Sequence, residues 1–432
     1  MKYVLLNLSL SAGLVSLLGS CSADTPVESF ENAPIEPSSR MVDFLETQKE
    51  TDMEMFSKLF HEFLKKRSDS SEEQNFAYSP LSFSSVFSIL ANGATGETLD
   101  EMMRVVGDGN YNVTTLNSYF REMMSNFPQL DNTVKLNIAN SLWVSDGPDC
   151  ELAENFTTEV NGNYNTEVFT CQFNEELYKH INTWIYNNTS GLISDFYKSD
   201  AQLPPPIIIV NALYFKAPWT WAFDKTATKK NTFKTYAGQA IEVDMMHKLF
   251  KPGEDILYAE NDYAEMVEFY LGKKENKSFS LYAILPKAEV DFTDFVATFG
   301  ARELSALQAG STSSSYLTVK FPKFKVSSSC ENFTSVLQRD FGVQRPFSEY
   351  DAQFNKLFAY NYNNDGIYFI SNIKQNVEFA VDEYGAEGGV ATAENVSTGV
   401  KDNSVVFNRP FLFIVMENAT ETILFEGAVL NP

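Results

Sequence analysis

Histidine is almost missing from this chain: three residues in 432, His61, His180 and His247. None stands beside a serine, cysteine or acid in a nucleophile–base arrangement. No GxSxG, HExxH, phosphate-binding Gly-rich loop or dinucleotide fingerprint occurs either, so hydrolase, metalloenzyme and nucleotide-dependent chemistry all lack their signatures. Neither a cofactor nor a metal is expected, and the chain does not read as an enzyme. Cations are scarce as well. The 33 Lys and Arg against 57 Asp and Glu leave a net charge of −24, which argues against a nucleic-acid partner and against an electrostatic membrane binder. Cysteine is sparse. Of four in all, Cys150, Cys171 and Cys330 have neither zinc-pair spacing nor a disulfide framework, with room for at most one bridge.

What is present is apolar. At 44% hydrophobic residues, without low complexity, the chain can bury a large core. The N-terminal "MKYVLLNLSLSAGLVSLLGSC" carries one lysine and an apolar run too short and too interrupted to span a bilayer as a mature helix. It reads as a secretory signal over residues 1–20. Leu18, Gly19, Ser20 and Cys21 resemble the bacterial lipoprotein cleavage box, which implies a diacylated Cys21 that tethers the mature protein to a lipid bilayer, facing the periplasm or the cell exterior. An ordinary signal cut near Ala23 is the alternative. Residues 21–48 are polar, contain Pro26, Pro34 and Pro37, and read as a flexible spacer.

A domain over 49–432 follows. "MEMFSKLFHEFLKK" places Phe56, Leu59, Phe60, Phe63 and Leu64 on one helical face, with Lys65, Lys66 and Arg67 at the favourable C-terminal end. "SPLSFSSVFSILANGATG" predicts a second helix, with Ser79 as N-cap, Pro80 at the first helical position, and Gly93 or Gly96 as the stop. The apolar runs "TVKLNIANSLWV", "PPPIIIVNALYF", "FSLYAILP", "YLTVKFPKF", "GIYFISNIKQNVEFAVDE", "VVFNRPFLFIVME" and "ILFEGAVL" predict strands, with "ELYKHINTWIYNNTSGLI" and "CENFTSVLQRDFG" as helices between them. This is the pattern of one α+β domain with more than one sheet. Between Val381 and Phe411 about twenty small and polar residues interrupt the apolar text, and a structureless stretch of that length inside a domain is uncommon unless functional. The other reading is a plain surface loop.

Taken in order, "NFAYSPLS" (75–82), "GATGET" (93–98), "INTWIYNNTSGLISDF", "IIIVNALYFKAPWTWAFDKTATKKNTF", "FSLYAILP", "VKFPKFKV", "VDEYGAEGG", "FNRPFLFIV" and "ILFEGAVLNP" resemble the serpin family, over about residues 50–432. The resemblance implies three β-sheets, eight to nine helices, and an exposed reactive-centre loop at about 384–406. It also implies a suicide substrate: a serine protease cuts the loop, remains bound as a covalent acyl complex, and is carried away as the loop inserts into the central sheet. The protein is expected to be a monomer.

The family pattern places the hinge of the loop at Glu383, Gly385, Ala386, Gly388, Gly389, Val390, Ala391 and Thr392. The cut falls between Gly399 and Val400, with Thr398 and Lys401 as neighbours. Alternate residues of an inserting strand must face the core. Counted from Gly385 these are Ala386, Gly388, Val390, Thr392, Glu394 and Val396. The first four are small or β-branched, whereas Glu394 would bury a charge. The bait "NVSTGV" is small and aliphatic, which points to an elastase-like or subtilisin-like target, with papain-like cysteine proteases as the alternative. A non-inhibitory serpin-fold surface binding protein is the competing class. The resemblance also assigns Ser79, Ser82 and Asn211 to a polar cluster beneath the central sheet, the shutter. Gln375 occupies the position where the family usually has a histidine, and Trp219 falls where insertion begins, the breach. Helix capping for Ser79 and plain core packing for Trp219 are the structural alternatives.

Overall fold

The computed structural model of the chain describes residues 39–67, 75–107, 109–146, 150–174, 176–194, 196–197, 207–313, 316–359, 368–371, 373–386 and 403–432. Cys21, Gly388, Gly389, Val390, Ala391, Thr392, Thr398, Gly399, Val400 and Lys401 lie outside the described residues.

Helix α1 (Ser39–Arg67) begins inside the stretch assigned to the spacer, which therefore ends before residue 39 and not at 48. Phe44 and Leu45 are buried on its inner face together with Asp52. Polar side chains occupy inward positions here, which hid the helical period from the sequence. Strand β1 (Phe76–Tyr78) leads into α2 (Pro80–Gly93), whose N-cap Ser79 accepts from the Ser82 amide at 3.3 Å and whose first residue is Pro80, as expected.

There follow α3 (Gly96–Val106), α4 (Val113–Asn126), β2 (Lys135–Ser145), α5 (Glu154–Tyr164), β3 (Thr166–Cys171) and α6 (Leu177–Asn188). The middle of the chain forms β4 (Ile207–Pro218), β5 (Lys229–Lys234), β6 (Ala240–Phe250), β7 (Leu257–Glu260), β8 (Ala264–Leu271) and β9 (Phe279–Pro286). Then come α7 (Phe292–Thr298), α8 (Ala301–Gly310), β10 (Thr312–Ser313), β11 (Leu317–Pro322), β12 (Phe324–Cys330) and α9 (Phe333–Asp340). The chain ends through β13 (Gln375–Asp382), β14 (Gly385–Ala386), β15 (Asn403–Val406), β16 (Phe411–Glu417) and β17 (Thr422–Val429). Nine α-helices and three sheets are thus present among the described residues, an α+β architecture.

Two apolar runs expected as single strands are split between sheets. "YLTVKFPKF" breaks at Lys323 into β11 and β12, and "VVFNRPFLFIVME" breaks at 407–410 into β15 and β16. In both a proline stands at or next to the break, where a missing amide donor ends a ladder. Residues 368–371 and 373–374, just before β13, belong to no strand, and the Ile370 amide donates to the Pro346 carbonyl at 2.7 Å.

The seven-stranded sheet runs β1-β17-β16-β9-β8-β7-β10, the four-stranded sheet β15-β11-β6-β5, and the six-stranded sheet β12-β13-β14-β4-β2-β3. Strands β9, β16 and β17 are buried along their whole length, which accounts for their unbroken apolar text. The six-stranded sheet rests on the seven-stranded one through an aromatic seam. Phe379 stacks on Phe413 at 5.0 Å and 9°, and lies 5.5 Å from Phe425, while Phe324 lies 5.4 Å from Phe413. Gly427 makes room for it: a Cβ there would stand 2.3 Å from the Phe413 ring and 2.8 Å from the Phe76 carbonyl. Asn75 ties the two ends of the domain, donating to the carbonyls of Lys325 and Asn431 and accepting from the amides of Leu430 and Asn431, all at 2.8–2.9 Å. No helix among the described residues is long and apolar enough to cross a membrane.

Candidate functional site: an open slot and its hinge

Strands β13 and β4 are neighbours in the six-stranded sheet, yet they meet only through the two residues of β14. Chain direction reverses after Asp382, whose carboxylate accepts from the Tyr384 amide at 2.8 Å. Gly385 and Ala386 then pair antiparallel with Asp382 and Val381 on one side and with Pro218 and Ala217 on the other. Gly385 must be glycine. Its φ is +153°, and a Cβ would stand 2.1 Å from the Ala217 carbonyl oxygen and 2.7 Å from the Pro218 Cα.

The hinge is held from three sides. Trp219, one residue beyond β4, donates from Nε1 to the Asp382 carbonyl at 2.8 Å and from its amide to the Tyr384 carbonyl at 2.9 Å. Its ring packs at 5.2 Å on Phe269 and 5.9 Å on Phe223, so core packing and the hinge contact coexist. Glu383 is only 2% exposed. Its carboxylate accepts from Thr228 Oγ1 at 2.8 Å and pairs with Lys323 Nζ at 2.9 Å. Burial pushes this carboxyl up, but the hydrogen bonds from Lys323 and Thr228 and the lysine's charge outweigh it and hold it below the ordinary glutamate value. The same hydrogen bond holds the Lys323 ammonium above its usual range.

Beyond Ala386 no described residue of β13 pairs with β4, and the sheet is open. A cavity of about 550 Å³ fills the gap, lined by Ile209, Asn211 and Leu213 of β4, Gln375 and Val377 of β13, and Ser82 of α2. Helix α6 covers the opposite face of β4, where Ile208, Val210 and Ala212 pack on Ile181, Trp184 and Ile185.

Polar groups line the slot at one level, but they form two networks, not one. In the first, Gln375 accepts from the Ser79 amide at 2.8 Å and donates to the Ser79 carbonyl at 2.9 Å. The Ser79 hydroxyl donates to the Leu424 carbonyl at 2.7 Å and stands 3.1 Å from the Ser82 hydroxyl. An amide side chain, which donates and accepts at once, thus joins β13 to α2 and β17. In the second, Asn211 donates to Asn140 Oδ1 at 2.9 Å, and Asn140 also accepts from Ser85 at 3.0 Å and donates to the Tyr164 carbonyl at 2.9 Å. Asn211 Oδ1 is buried with no partner among the described residues.

Asn140, Ser85, Thr228 and Lys323 escaped the sequence reading. Asn140 sits within the expected strand "KLNIANSLWV", where a buried asparagine opposite Asn211 in register was the available signal. Among the described residues no group of three or more His, Cys, Asp or Glu stands together to hold a metal.

The sequence model of the serpin family, serine protease inhibitors, matches residues 55–432, and the chain belongs to that family. Serpin-Z7 of Hordeum vulgare is 28% identical over 372 residues, covering 83% of this chain and 90% of that protein. A serine protease inhibitor of Cyanea capillata is 26% identical over 373 residues, covering 83% and 93%. Among solved structures, the thermophilic serpin tengpin in its native state superposes with a TM-score of 0.79 at 24% identity, covering 93% of this chain and 96% of that one, a likeness in fold alone.

Proposed function

We propose that this serpin inhibits an extracellular serine protease as a suicide substrate, and that its cleaved loop completes the six-stranded sheet by filling the slot between β13 and β4. The carrying observation is the slot itself, with Gly385 and Ala386 already seated as its first two residues. Their register extends to the residues that follow. Ala386 faces the core, so Gly388, Val390, Thr392, Glu394 and Val396 share its inward parity. Six residues on from Ala386, the register brings Thr392 between Asn211 and Gln375, where its hydroxyl can serve the unpartnered Asn211 Oδ1. Glu394 falls opposite Ile209 at the far end of the slot, which Lys374 also lines, its ammonium 3.1 Å from Glu331. The Lys374 side chain lies over the Phe196 ring on the α6 side of the sheet, so the inward Glu394 carboxylate must keep water at this end of the slot or take up a proton there.

In this reading the protease serine attacks the Gly399 carbonyl, Val400 leaves with a new amino terminus, and insertion removes the acyl-enzyme before water arrives. The small bait residues favour an elastase-like or subtilisin-like protease over a trypsin-like one. Lipidated Cys21 would hold the inhibitor on a bacterial surface membrane.

Incubation with elastase and with subtilisin, followed by denaturing gels, tests this. A complex that survives SDS, with the new N-terminus at Val400, is expected. Cleavage without a complex and without a gain in thermal stability refutes inhibition. It would favour a binding role, for which thyroxine-binding globulin solved with thyroxine, of the same fold at a TM-score of 0.74 and 22% identity, is the precedent. A complex formed only with a papain-like enzyme would move the target class.

A further inference from the structure

The inner face of α1 carries an acid where a core expects a hydrocarbon. Asp52 is 8% exposed, and its carboxylate accepts from the Gln48 amide at 2.8 Å. Glu426 of β17 is 1% exposed and sits directly across from Tyr78 of β1 in the ladder. Among the described residues, Glu426 Oε2 and the Tyr78 hydroxyl are buried without partners. Beside Asp52 lies a cavity of about 10 Å³, lined by Gln48, Ser84, Ser88, Tyr119 and Thr422, close to the space of one water.

Among the described residues, the charged and titratable groups around this pair supply no free cation. Lys49 of α1 is committed to Glu421 and to Ser305. Glu417, at the end of β16, takes hydrogen bonds from the Ala419 and Thr420 amides and the Thr420 hydroxyl. Tyr119 of α4 bonds Thr422, and Cys330 of β12 stands near Tyr78 as a buried thiol. An ionised carboxylate in such a place is strongly disfavoured, whereas a neutral carboxyl, able to donate, is tolerated.

We propose that Asp52 and Glu426 form a proton-holding lock behind α2, neutral in the native fold and opened by alkaline solution. Helix α2 connects it to the slot. Leu81, Ser84 and Ser88 face the lock, while Ser82, Phe83 and Val86 of the same helix line the slot. Withdrawal of the protons draws water into the lock and loosens the helix on which the shutter rests. This follows from the fold and does not depend on the inhibitory reading.

Burial pushes Asp52 up to about 7 against the opposing Gln48 hydrogen bond, and burial together with the Asp52 charge pushes Glu426 well above the ordinary range. The folded state therefore holds protons that the unfolded chain releases near pH 4. Stability contributed by these carboxyls is full below that pH and is lost as pH rises through the folded values.

Urea unfolding of the full chain from pH 4 to 9 is the test. The unfolding equilibrium constant should rise up to about tenfold per pH unit for each proton held. Asp52→Asn should flatten the profile between pH 4 and 7, and Glu426→Gln should flatten it from pH 4 upward through the whole range, leaving the slope due to Glu417 and Glu268, which burial also raises. Profiles parallel to wild type in both variants overturn the proposal. Should Asp52→Asn fail to fold, the infrared difference between wild type and Glu426→Gln at pH 7 decides. A protonated-carboxyl carbonyl band present only in the wild type supports the lock, and its absence refutes it.

Discussion

Removing either partner of the Glu383–Lys323 pair breaks the same 2.9 Å contact, but the two losses should differ in size. The Glu383 side chain is 2% exposed and that of Lys323 is 36%. Lys323→Met leaves a carboxylate buried with Thr228 as its remaining side-chain donor. Stranding a buried charge costs about 3–5 kcal/mol, and the partial exposure of the lysine brings the expected loss to the low end, about 3 kcal/mol. Glu383→Gln keeps an acceptor for Thr228 and frees an ammonium that can turn to water, so about 1 kcal/mol is expected. Denaturant unfolding of both variants and of the double variant measures the asymmetry, and the double variant should be less damaged than Lys323→Met alone.

Acid supplies a second reading of the same pair. The Glu383 carboxyl is held below its ordinary value, so its stabilisation is present above the unfolded value of about 4.3 and is lost as pH falls through the folded one. The deficit of Lys323→Met should therefore shrink as pH drops below about 4. Equal costs for the two single variants, or a deficit that does not change with pH, would refute the assignment of the hinge's anchorage to this buried carboxylate.

Three further outcomes are expected. Asn140→Ala removes three hydrogen bonds and strands the Asn211 amide, so stability should fall by about 3 kcal/mol in urea titration, against under 1 kcal/mol for an exposed asparagine such as Asn403. Asn75→Ala cuts four bonds between the chain's two ends, and calorimetry should register a drop in Tm comparable to that of Asn140→Ala. Thr392→Arg should leave the rate of loop cleavage unchanged while abolishing the SDS-stable complex, because a guanidinium cannot enter between Asn211 and Gln375; a surviving complex would refute the register.

The apolar runs were legible because burial imposes periodicity on sequence, and the capped start of α2 because Ser79 and Pro80 act locally. The early start of α1 was not legible. Gln48 and Asp52 occupy inward positions, so the hydrophobic stripe is broken in the first half of the helix. The division of "YLTVKFPKF" between two sheets was equally hidden, because a strand's text does not say which neighbours it meets. At the site, the ordered phrases led to Trp219, Glu383 and Gln375, whereas Thr228 and Lys323 reach the hinge only through tertiary folding from loops and breaks remote in sequence. The family resemblance grouped Asn211 with Ser79 and Ser82; their hydrogen bonds separate them into two networks that share the wall of one slot.

A sheet that admits another strand must widen by about 4.8 Å, and one half of it must glide across whatever lies beneath. What lies beneath β13 is the face of Phe379 on Phe413, with Phe425 tilted against Phe379 at nearly the same distance. Flat rings held by dispersion carry no directional bond to shear, and a ring leaving one neighbour arrives on the next. If the slot is filled as proposed, the seam would act like graphite between two plates, bearing the load of the core while leaving the direction of travel free.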